Sequence, residues 1–349
     1  MNQYIGTSDS GNFREAVRGI TGAPQLLIML STKENFSSHC LQLKEMYPDT
    51  PSIATTGFFY DSRFHNGLGI IAFYGVDVVT GVMRNASRYP IKDINELKKN
   101  IRTISPGADN TVCIDFCTGN DACVLTTMYS VFKSTGIQLT GGTAFDGMVA
   151  VNGTIYDDAD AYALIKNTGK VRVYKENIYK PLGNTRYIAS KTDRSRYYIG
   201  ELNGRPSKQL YMDTHRITER DIVDQTKKNP FGKIVGNEVF IVSLKGYENN
   251  GLTCYRQVND SDVLYMMELV DYKAKVDETI SQIQKDFPHS SGSFSVNCIF
   301  RYQLFEEKGY FDEYLQQMSR ITSHCGFVGN GEHFNHQFIN QSMSIAVFE

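Results

Sequence analysis

The fold prediction rests on the alternating helix and strand patterns of residues 94–142, INELKKNIRTISPGADNTVCIDFCTGNDACVLTTMYSVFKSTGIQLTGG. Apolar residues recur at helical spacing over residues 94–104 and 124–132, and each helical stretch is followed by a short apolar run, at residues 112–116 and 137–140. A period of 3.6 predicts amphipathic helices, and the short runs predict buried strands. The strand, helix, strand order predicts a parallel pair with a right-handed crossover. The second strand runs directly into two glycines.

The same order of burial patterns occurs twice more, although the letters differ. One copy covers residues 13–57 and the other covers residues 276–331, and each ends at a glycine-containing bend. A further strand is expected after each copy, at residues 68–74, 161–165 and 343–348. Three similar helix-strand-helix-strand-strand units predict an α/β protein built from mixed sheets.

The stretch between the second and third units lacks this pattern and is rich in strands. It contains four strand-like segments, at residues 171–174, 197–202, 239–244 and 263–270. One helical region is expected at residues 207–227, with Pro206 at its first turn. We interpret the stretch as a connector. The chain then divides into residues 1–215, with two units and a strand-rich extension, and residues 216–349, with the third unit.

Composition excludes two classes of partner. The 349 residues suffice for two domains or one large one, and the 41% hydrophobic and 21% charged fractions are ordinary for a globular protein. No segment approaches the roughly 18 consecutive apolar residues of a membrane helix. The formal charge of −2, without a cluster of Lys and Arg among aromatic residues, gives no field for nucleic acid. We expect neither a membrane nor a nucleic acid as partner.

The amino terminus and the cysteines point to a cytoplasmic protein. Residues 1–11, MNQYIGTSDSG, have neither a basic leader nor an apolar core, so they do not resemble a secretory signal. The seven cysteines are odd in number and include no C-x-x-C pair, which predicts reduced thiols.

Two motif-like segments are interpreted as structural. Residues 67–72 fit the G-x-G-x-x-A pattern of dinucleotide-binding loops, but the apolar run that continues there predicts a strand where the motif requires a helix. Residues 324–336 contain three histidines, a cysteine and Glu332, yet they lack the tight spacing and second cluster of zinc sites. A polar glycine-rich loop is the preferred interpretation, so no metal is expected.

Charged residues lie near the ends of the predicted strands. Asp115 shares a strand face with Cys113 and Cys117, which we expect to be small buried hydrophobes, and a buried carboxylate there needs either a partner or a cleft. Arg301 follows the predicted strand at residues 296–300. Because ligands of open α/β sheets gather beyond the carboxyl ends of strands, these positions predict a binding site.

This predicted site suits a zwitterion. A guanidinium can clamp a carboxylate, a carboxylate can hold an ammonium, and glycines allow a close backbone approach. The expected ligand-binding residues are Gly57, Asp115, Gly141, Gly142, Asp146, Arg301, Gly329 and Glu332. A structural Asp–Arg pair that joins two units remains an equal alternative.

The glycine-rich segments, taken in order, resemble the FIST family of sensory proteins. The segments that carry the resemblance are IATTG at 53–57, GGTAFDG at 141–147, VNG at 151–153, YIGELNGRP at 198–206, GEHFN at 331–335 and NQS at 340–342. The resemblance extends from about residue 20 to the end, as a FIST N region, assigned to residues 1–215, followed by a FIST C region at 216–349.

The resemblance implies a small-molecule sensor, with amino acids as the usual suggestion for the ligand. Relatives are often linked to kinases, cyclic-nucleotide enzymes or chemotaxis components. Because the FIST regions leave no room here for an output domain, a separate signalling protein is the expected partner. One branch of the family resembles haem-based nitric-oxide sensors.

Three functional hypotheses result. The first is a cytoplasmic sensor that binds a small polar molecule, such as an amino acid, and shifts the arrangement of its N and C regions. The second is a haem-based gas sensor, since seven histidines and 21 tyrosines could ligate iron; no cofactor is otherwise expected. The third is an enzyme that uses Asp115, Asp146 or Glu332 as acid or base, although no nucleophile or metal motif supports it.

Overall fold

The computed structural model describes residues 1–349 and contains nine α-helices and 26 strands. The helices are α1 Phe13–Ala16, α2 Lys33–Met46, α3 Ile94–Ile104, α4 Asp121–Phe132, α5 Ser207–His215, α6 Ile222–Thr226, α7 Tyr272–Asp286, α8 Ile299–Glu307 and α9 Phe311–Met318. Short 3-10 helices lie at Pro90–Asp93 and Glu219–Asp221. The strands are β1 Asn2–Ser8, β2 Leu26–Ser31, β3 Ser52–Thr56, β4 Phe58–Tyr60, β5 Phe64–His65, β6 Leu68–Tyr74, β7 Asp77–Arg84, β8 Thr111–Cys117, β9 Gln138–Thr143, β10 Val149–Val151, β11 Thr154–Tyr156, β12 Ala159–Lys166, β13 Val171–Asn177, β14 Tyr179–Asp193, β15 Tyr198–Leu202, β16 Arg205–Pro206, β17 Phe231–Val235, β18 Glu238–Val242, β19 Leu244–Glu248, β20 Gly251–Cys254, β21 Val263–Leu269, β22 Gly292–Cys298, β23 His324–Gly329, β24 Glu332–Phe334, β25 Gln337–Ile339 and β26 Ser342–Phe348.

Three of the four sheets have six strands and share one local arrangement. Sheet 1 has the order β1-β6-β2-β3-β10-β11, sheet 2 has β25-β24-β9-β8-β12-β7, and sheet 3 has β13-β26-β22-β23-β4-β5. Each contains one parallel pair, β2 with β3, β8 with β9, or β22 with β23. The further strand, β6, β12 or β26, lies antiparallel beside the first strand of its pair. The predicted α/β architecture with mixed sheets is confirmed.

The three sheets exchange short strands directly after the glycine bends. Strand β4, which follows β3, pairs with β23 of sheet 3; β24, which follows β23, pairs with β9 of sheet 2; and β10, which follows β9, pairs with β3 of sheet 1. Each sheet therefore receives a strand from one neighbour and gives one to the other. The exchange brings the three bends to one junction.

Both faces of these sheets are buried. One face of each sheet contributes to a common central core, in which the ring centroid of Phe327 lies 5.3 Å from that of Phe116 and 6.2 Å from that of Phe294. The opposite faces are covered by α1 and α2 on sheet 1, α3 and α4 on sheet 2, and α7 to α9 on sheet 3. Strands buried on both faces need apolar residues throughout, which explains the uninterrupted run at β2.

The predicted connector forms the whole of sheet 4. Its strands have the order β18-β17-β21-β14-β15-β20-β19, with β16 paired to β15, and α5 and α6 pack on it around a separate core. The single helical region expected at residues 207–227 is wrong, because Arg216 adopts a left-handed conformation with φ of 55° and ends α5. Strands from both sides of residue 215 pair with each other, as β14 does with β21.

Two element boundaries in the outer units also differ from the prediction. Strand β22 ends at Cys298 and helix α8 begins at Ile299, so the expected strand at residues 296–300 is wrong. The apolar run continues across the boundary because Phe300 is buried on the helix. Arg301 therefore lies in the first turn of a helix and does not follow a strand end. Helix α1 is also shorter than its apolar spacing suggested, since it ends at Ala16.

Candidate functional site

A cavity of about 990 Å³ lies between sheets 2 and 4. The sheet 2 side is lined by residues 119–122, Thr126, Thr143, Asn330 and residues 336–338. The sheet 4 side is lined by residues 195–197, Phe240, Lys245, Glu248, residues 254–257 and Asn259. The cavity thus opens beyond the carboxyl ends of the parallel strands β8 and β9, where helix α4 begins, which is the usual location of ligands in α/β sheets.

Arg256 supplies this cavity with a cation that has no acidic partner. Its Nη2 donates to the carbonyl oxygen of Phe338, its guanidinium lies 5.0 Å from the ring centroid of Phe240, and its Nε makes no hydrogen bond. Burial lowers the pKa of Arg256 to about 10, so the group remains charged at neutral pH. A half-buried guanidinium with an unused donor is suited to a carboxylate.

The other cations of the lining differ in their partners. Arg196 forms an ion pair with Glu248, which also lines the cavity, whereas Lys245 is exposed and has no ion pair. Arg256 and Lys245 are therefore the cations that remain available to an anionic ligand.

Asp121 supplies the opposite charge on the sheet 2 side. It is the first residue of α4 and is only 6% exposed, its Oδ2 accepts a hydrogen bond of 3.0 Å from Thr143 Oγ1, and its Oδ1 lies 3.3 Å from His333 Nε2. Burial alone would raise the pKa of Asp121, but the hydrogen bond and charge of His333 lower it below its ordinary value. Asp121 therefore remains a carboxylate, and a helix amino terminus favours that charge.

Behind Asp121 a row of polar residues crosses sheet 2. Asp115 on β8 is in register with Gly141 on β9, which is in register with His333 on β24. His333 Nδ1 lies 2.7 Å from Asp115 Oδ2, and both side chains are fully buried. Burial lowers the pKa of His333, but Asp115 and Asp121 outweigh it and raise that pKa well above the ordinary value. The imidazolium is thus held between two carboxylates.

Gly141 makes the contact between Asp115 and His333 possible. A Cβ atom at this position would lie 2.0 Å from Asp115 Oδ1 and 2.1 Å from Asp115 O, which no side chain can tolerate. Gly141 was predicted as a ligand contact. In the structure its lack of a side chain leaves room for the contact between Asp115 and His333.

Two non-glycine residues of the lining have left-handed backbones. Asn120, the residue before α4, has φ of 58°, and Tyr197, whose carbonyl accepts a hydrogen bond from the amide of Cys254, has φ of 54°. Asn tolerates this region, but a bulky tyrosine is uncommon there. Strained conformations of this kind concentrate at binding sites.

Three of the predicted glycines meet at one point, but a side chain fills the space between them. A Cβ atom added at Gly57 or at Gly329 would lie 2.9 Å from the Phe327 ring. One added at Gly142 would lie 3.4 Å from the same ring. The three bends therefore converge on the ring of Phe327. None of these glycines lines the cavity, and their role as ligand contacts stays a prediction.

The predicted carboxylates Asp146 and Glu332 also lie outside the cavity lining. Asp146 is exposed, and its backbone amide donates to Thr56 Oγ1 at 3.0 Å. Glu332 is fully buried and accepts a 2.8 Å hydrogen bond from Ser342 Oγ, and burial raises its pKa to about 8.

Arg301 is engaged in the interior of the protein. Its guanidinium pairs with Glu176, donates to Asn297 Oδ1, and lies 4.7 and 4.9 Å from the ring centroids of Phe305 and Tyr314. Arg301 and Glu176 are both fully buried. The sequence left open a structural Asp–Arg pair; in the structure Arg301 instead pairs with Glu176 on β13.

Sequence reasoning missed Asp121 and Arg256. Asp121 could have been found, because it follows Gly119 and Asn120 at the junction between an apolar strand and a helix, where the strand-end rule applies. Arg256 gave no signal, because it lies in a loop whose position depends on the pairing of β20 with β15 and β19.

The lining does not suit a haem. Only six of its 21 residues are hydrophobic, whereas a porphyrin needs an extended apolar slot. Of the seven histidines only His336 lines the cavity, and its ring lies 4.4 Å from that of Tyr129. His39, His324 and His333 are instead buried and hydrogen bonded.

Comparison with protein families gives two matches in sequence order. The family described as FIST N domain matches residues 25–205, and the family described as FIST C domain matches residues 208–335. The first match alone covers more than half of the 349 residues, and the junction lies between β16 and α5. No curated protein matches the chain. None of its helices has the length and apolar character needed to span a bilayer.

Proposed function

Since this chain belongs to the FIST family, whose domains are of the sensory and signal-transduction type, we propose that it senses a small molecule carrying a carboxylate, with an amino acid as the preferred class. The ligand binds in the cavity between sheets 2 and 4. A volume of about 990 Å³ is ample for such a molecule with part of its hydration shell.

One observation carries this proposal: a cation without an acidic partner, Arg256, and a carboxylate of opposite charge, Asp121, line the same cavity. Arg256 has no acidic partner and a buried Nε that makes no hydrogen bond, and Asp121 Oδ1 has only the imidazole of His333, at 3.3 Å, beside it. The guanidinium can bind an α-carboxylate, and Asp121 can accept from an α-ammonium. Buried polar groups are normally satisfied, so the unsatisfied guanidinium of Arg256 favours an anionic ligand that completes it.

The two halves of the cavity offer a route for the signal. Asp121 and Thr143 belong to the FIST N match, and Arg256 and Asn330 belong to the FIST C match. A ligand held by both halves stabilises the arrangement in which they are close, and only this difference in affinity can shift the population. We propose that a separate signalling protein binds the surface that changes with this arrangement. Such a protein could be a kinase, a cyclic-nucleotide enzyme or a chemotaxis component.

We further propose a cytoplasmic location and a binding role without turnover. All seven cysteines are free, and six of them are buried, which fits a reducing compartment. Of the three carboxyl groups considered for acid-base chemistry, Asp115 and Glu332 are fully buried, Asp146 is exposed, and none of them lines the cavity. A general acid or base must reach the substrate, so these positions favour binding over catalysis.

Thermal unfolding against a panel of amino acids and small carboxylic acids tests the proposal. A ligand present at about 100 times its Kd stabilises the folded state by about 2.7 kcal/mol. The matched variants are Arg256→Gln and Arg320→Gln, because Arg320 forms an exposed ion pair with Asp277 away from the cavity. We expect Arg256→Gln alone to abolish the shift. If no panel member stabilises the wild-type chain, or if both variants respond like wild type, the proposal fails.

A further inference from the structure

We propose that Asp115, Asp160 and His333 form a binding site for one divalent cation of the Zn²⁺ class, within sheet 2 and behind the floor of the cavity. One ligand atom from each residue lies within 4.8 Å of the other two, and all three side chains are buried. The site is distinct from the cavity, because none of the three residues lines it.

The three residues are held by adjacent strands of one sheet. Asp160 on β12 is in register with Cys117 of β8, two residues beyond Asp115, and His333 on β24 follows across Gly141 of β9. Side chains at i and i+2 lie on the same face of a strand, so these groups converge on the face that packs against α4. Ligands on paired strands are preorganised, since the backbone cannot shift without breaking the ladder.

Unsatisfied atoms provide an independent indication of a missing partner. Both carboxylate oxygens of Asp160 and Oδ1 of Asp115 are buried and make no hydrogen bond, whereas His333 Nε2 faces Asp121 Oδ1 at 3.3 Å. Each such group costs free energy when buried alone, and the cost is largest for a charge. Three unpartnered oxygens on Asp115 and Asp160, beside the imidazole of His333, form a donor set for a cation.

The charge balance favours a cation over a rearranged hydrogen-bond network. The cluster includes the carboxyl groups of Asp115, Asp121 and Asp160 but only one imidazole, and no Lys or Arg forms an ion pair with any of them. A dication at the centre would displace the proton of His333, whose imidazole must be neutral to ligate it, and would offset the negative charge of the aspartates that burial penalises. A proton shared between Asp115 and Asp160 is the competing arrangement, and it predicts no affinity for metal.

The ligand types restrict the identity of the ion. Two carboxylates and one imidazole suit Zn²⁺ and related transition cations, whereas Ca²⁺ and Mg²⁺ need more oxygen ligands or retained waters. Asp121 lies on the cavity side of His333, with its Oδ1 3.3 Å from Nε2, and would orient that ring from outside the site.

Zinc titration of the full chain by calorimetry tests this proposal without any cavity ligand. The protein is first dialysed against a chelator, and a Cys123→Ser background removes the one exposed thiol. We expect one zinc ion per chain. The charge-removing variant Asp160→Asn should weaken zinc binding by at least about tenfold. The matched control Asp157→Asn, at an exposed position nearby, should bind as the background does.

Two outcomes would overturn the proposal: no stoichiometric zinc binding by the background chain, or equal affinity in a folded Asp160→Asn variant. If that variant does not fold, anomalous scattering from zinc-soaked crystals of the wild-type chain decides, since the proposal requires a peak between Asp115, Asp160 and His333. Arg256→Gln should bind zinc normally. The metal site and the sensor function are therefore tested by separate experiments, and either can be refuted without the other.

Discussion

Replacing Arg301 with methionine is expected to destabilise the protein by about 3–5 kcal/mol, because it leaves Glu176 as an unpaired buried charge. Both side chains are 0% exposed, and Arg301 also donates to Asn297 and lies between the rings of Phe305 and Tyr314. Methionine retains much of the apolar stem but supplies neither charge nor donor. The loss of stability therefore comes mainly from the unpaired charge of Glu176. The lost cation–π contacts contribute a smaller part.

The expected change in melting temperature can be estimated from the chain length. An unfolding entropy of about 2.1 cal/mol/K per residue corresponds to about 0.7 kcal/mol/K for 349 residues unfolding together. A loss of about 3–5 kcal/mol then lowers Tm by about 4–7 °C. Differential scanning calorimetry can resolve a shift of this size.

A double variant separates the buried charge from general loss of packing. Arg301→Met combined with Glu176→Gln removes both charges and should recover most of the lost stability, whereas Glu176→Gln alone should also destabilise the chain. Arg320→Met, at an exposed pair, should change stability by less than about 1 kcal/mol. If Arg301→Met melts like wild type, or if the double variant is no more stable than Arg301→Met, the interpretation of the pair as a buried structural unit is wrong.

Three further outcomes are expected. Gly141→Ala should destabilise the chain by at least about 1–3 kcal/mol in urea unfolding, because its Cβ would lie 2.0 Å from Asp115 Oδ1. The control Gly246→Ala should be tolerated, because the nearest atom to its Cβ would be 3.7 Å away. Equal effects of the two substitutions would refute the explanation. Burial raises the pKa of Glu332 from 4.5 to about 8, so the folded state keeps a proton that the unfolded chain loses between these values, and stability falls as pH rises from about 5 to 8. Glu332→Gln should remove up to about 1.4 kcal/mol per pH unit of this slope, and an unchanged slope would contradict the assignment. Purified protein supplied with haem should show no stoichiometric Soret band, since its cavity lining is mostly polar; a band of a ligated haem would favour the gas-sensor hypothesis.

The architecture was predictable because it depends on burial patterns that the sequence displays. Strands buried on both faces, such as β2 and β8, appear as uninterrupted apolar runs, and amphipathic helices separate them at the expected spacing. The border between β22 and α8 was not predictable from the same signal, since the apolar run continues from the strand onto the buried face of the helix at Phe300.

The candidate site was less predictable because its two sides come from distant parts of the chain. Strand-end reasoning selected Asp115, which belongs to the charged row behind the cavity, but it did not extend to Asp121 at the start of the next helix. Arg301 was selected from a misplaced strand end. Arg256 became visible only once sheet 4 was seen to pack over sheet 2, and no local pattern encodes that contact.

The roles of the glycines were also only partly predictable from the sequence. Their convergence could be expected from the three bends, yet the sequence does not reveal that the ring of Phe327 occupies the junction at Gly57, Gly142 and Gly329. Glycine permits close approach by a ligand or by a neighbouring side chain, and only the packing distinguishes these cases.

Calorimetric binding of three related compounds to three forms of the protein tests whether Arg256 and Asp121 bind the two ends of one ligand. The compounds are the stabilising amino acid, its amine without the carboxylate and its acid without the amino group; the proteins are wild type, Arg256→Gln and Asp121→Asn. We expect wild type to prefer the amino acid. Arg256→Gln should no longer distinguish it from the amine, and Asp121→Asn should no longer distinguish it from the acid. Unchanged discrimination in both variants would show that the cavity between sheets 2 and 4 does not bind the ligand in this way.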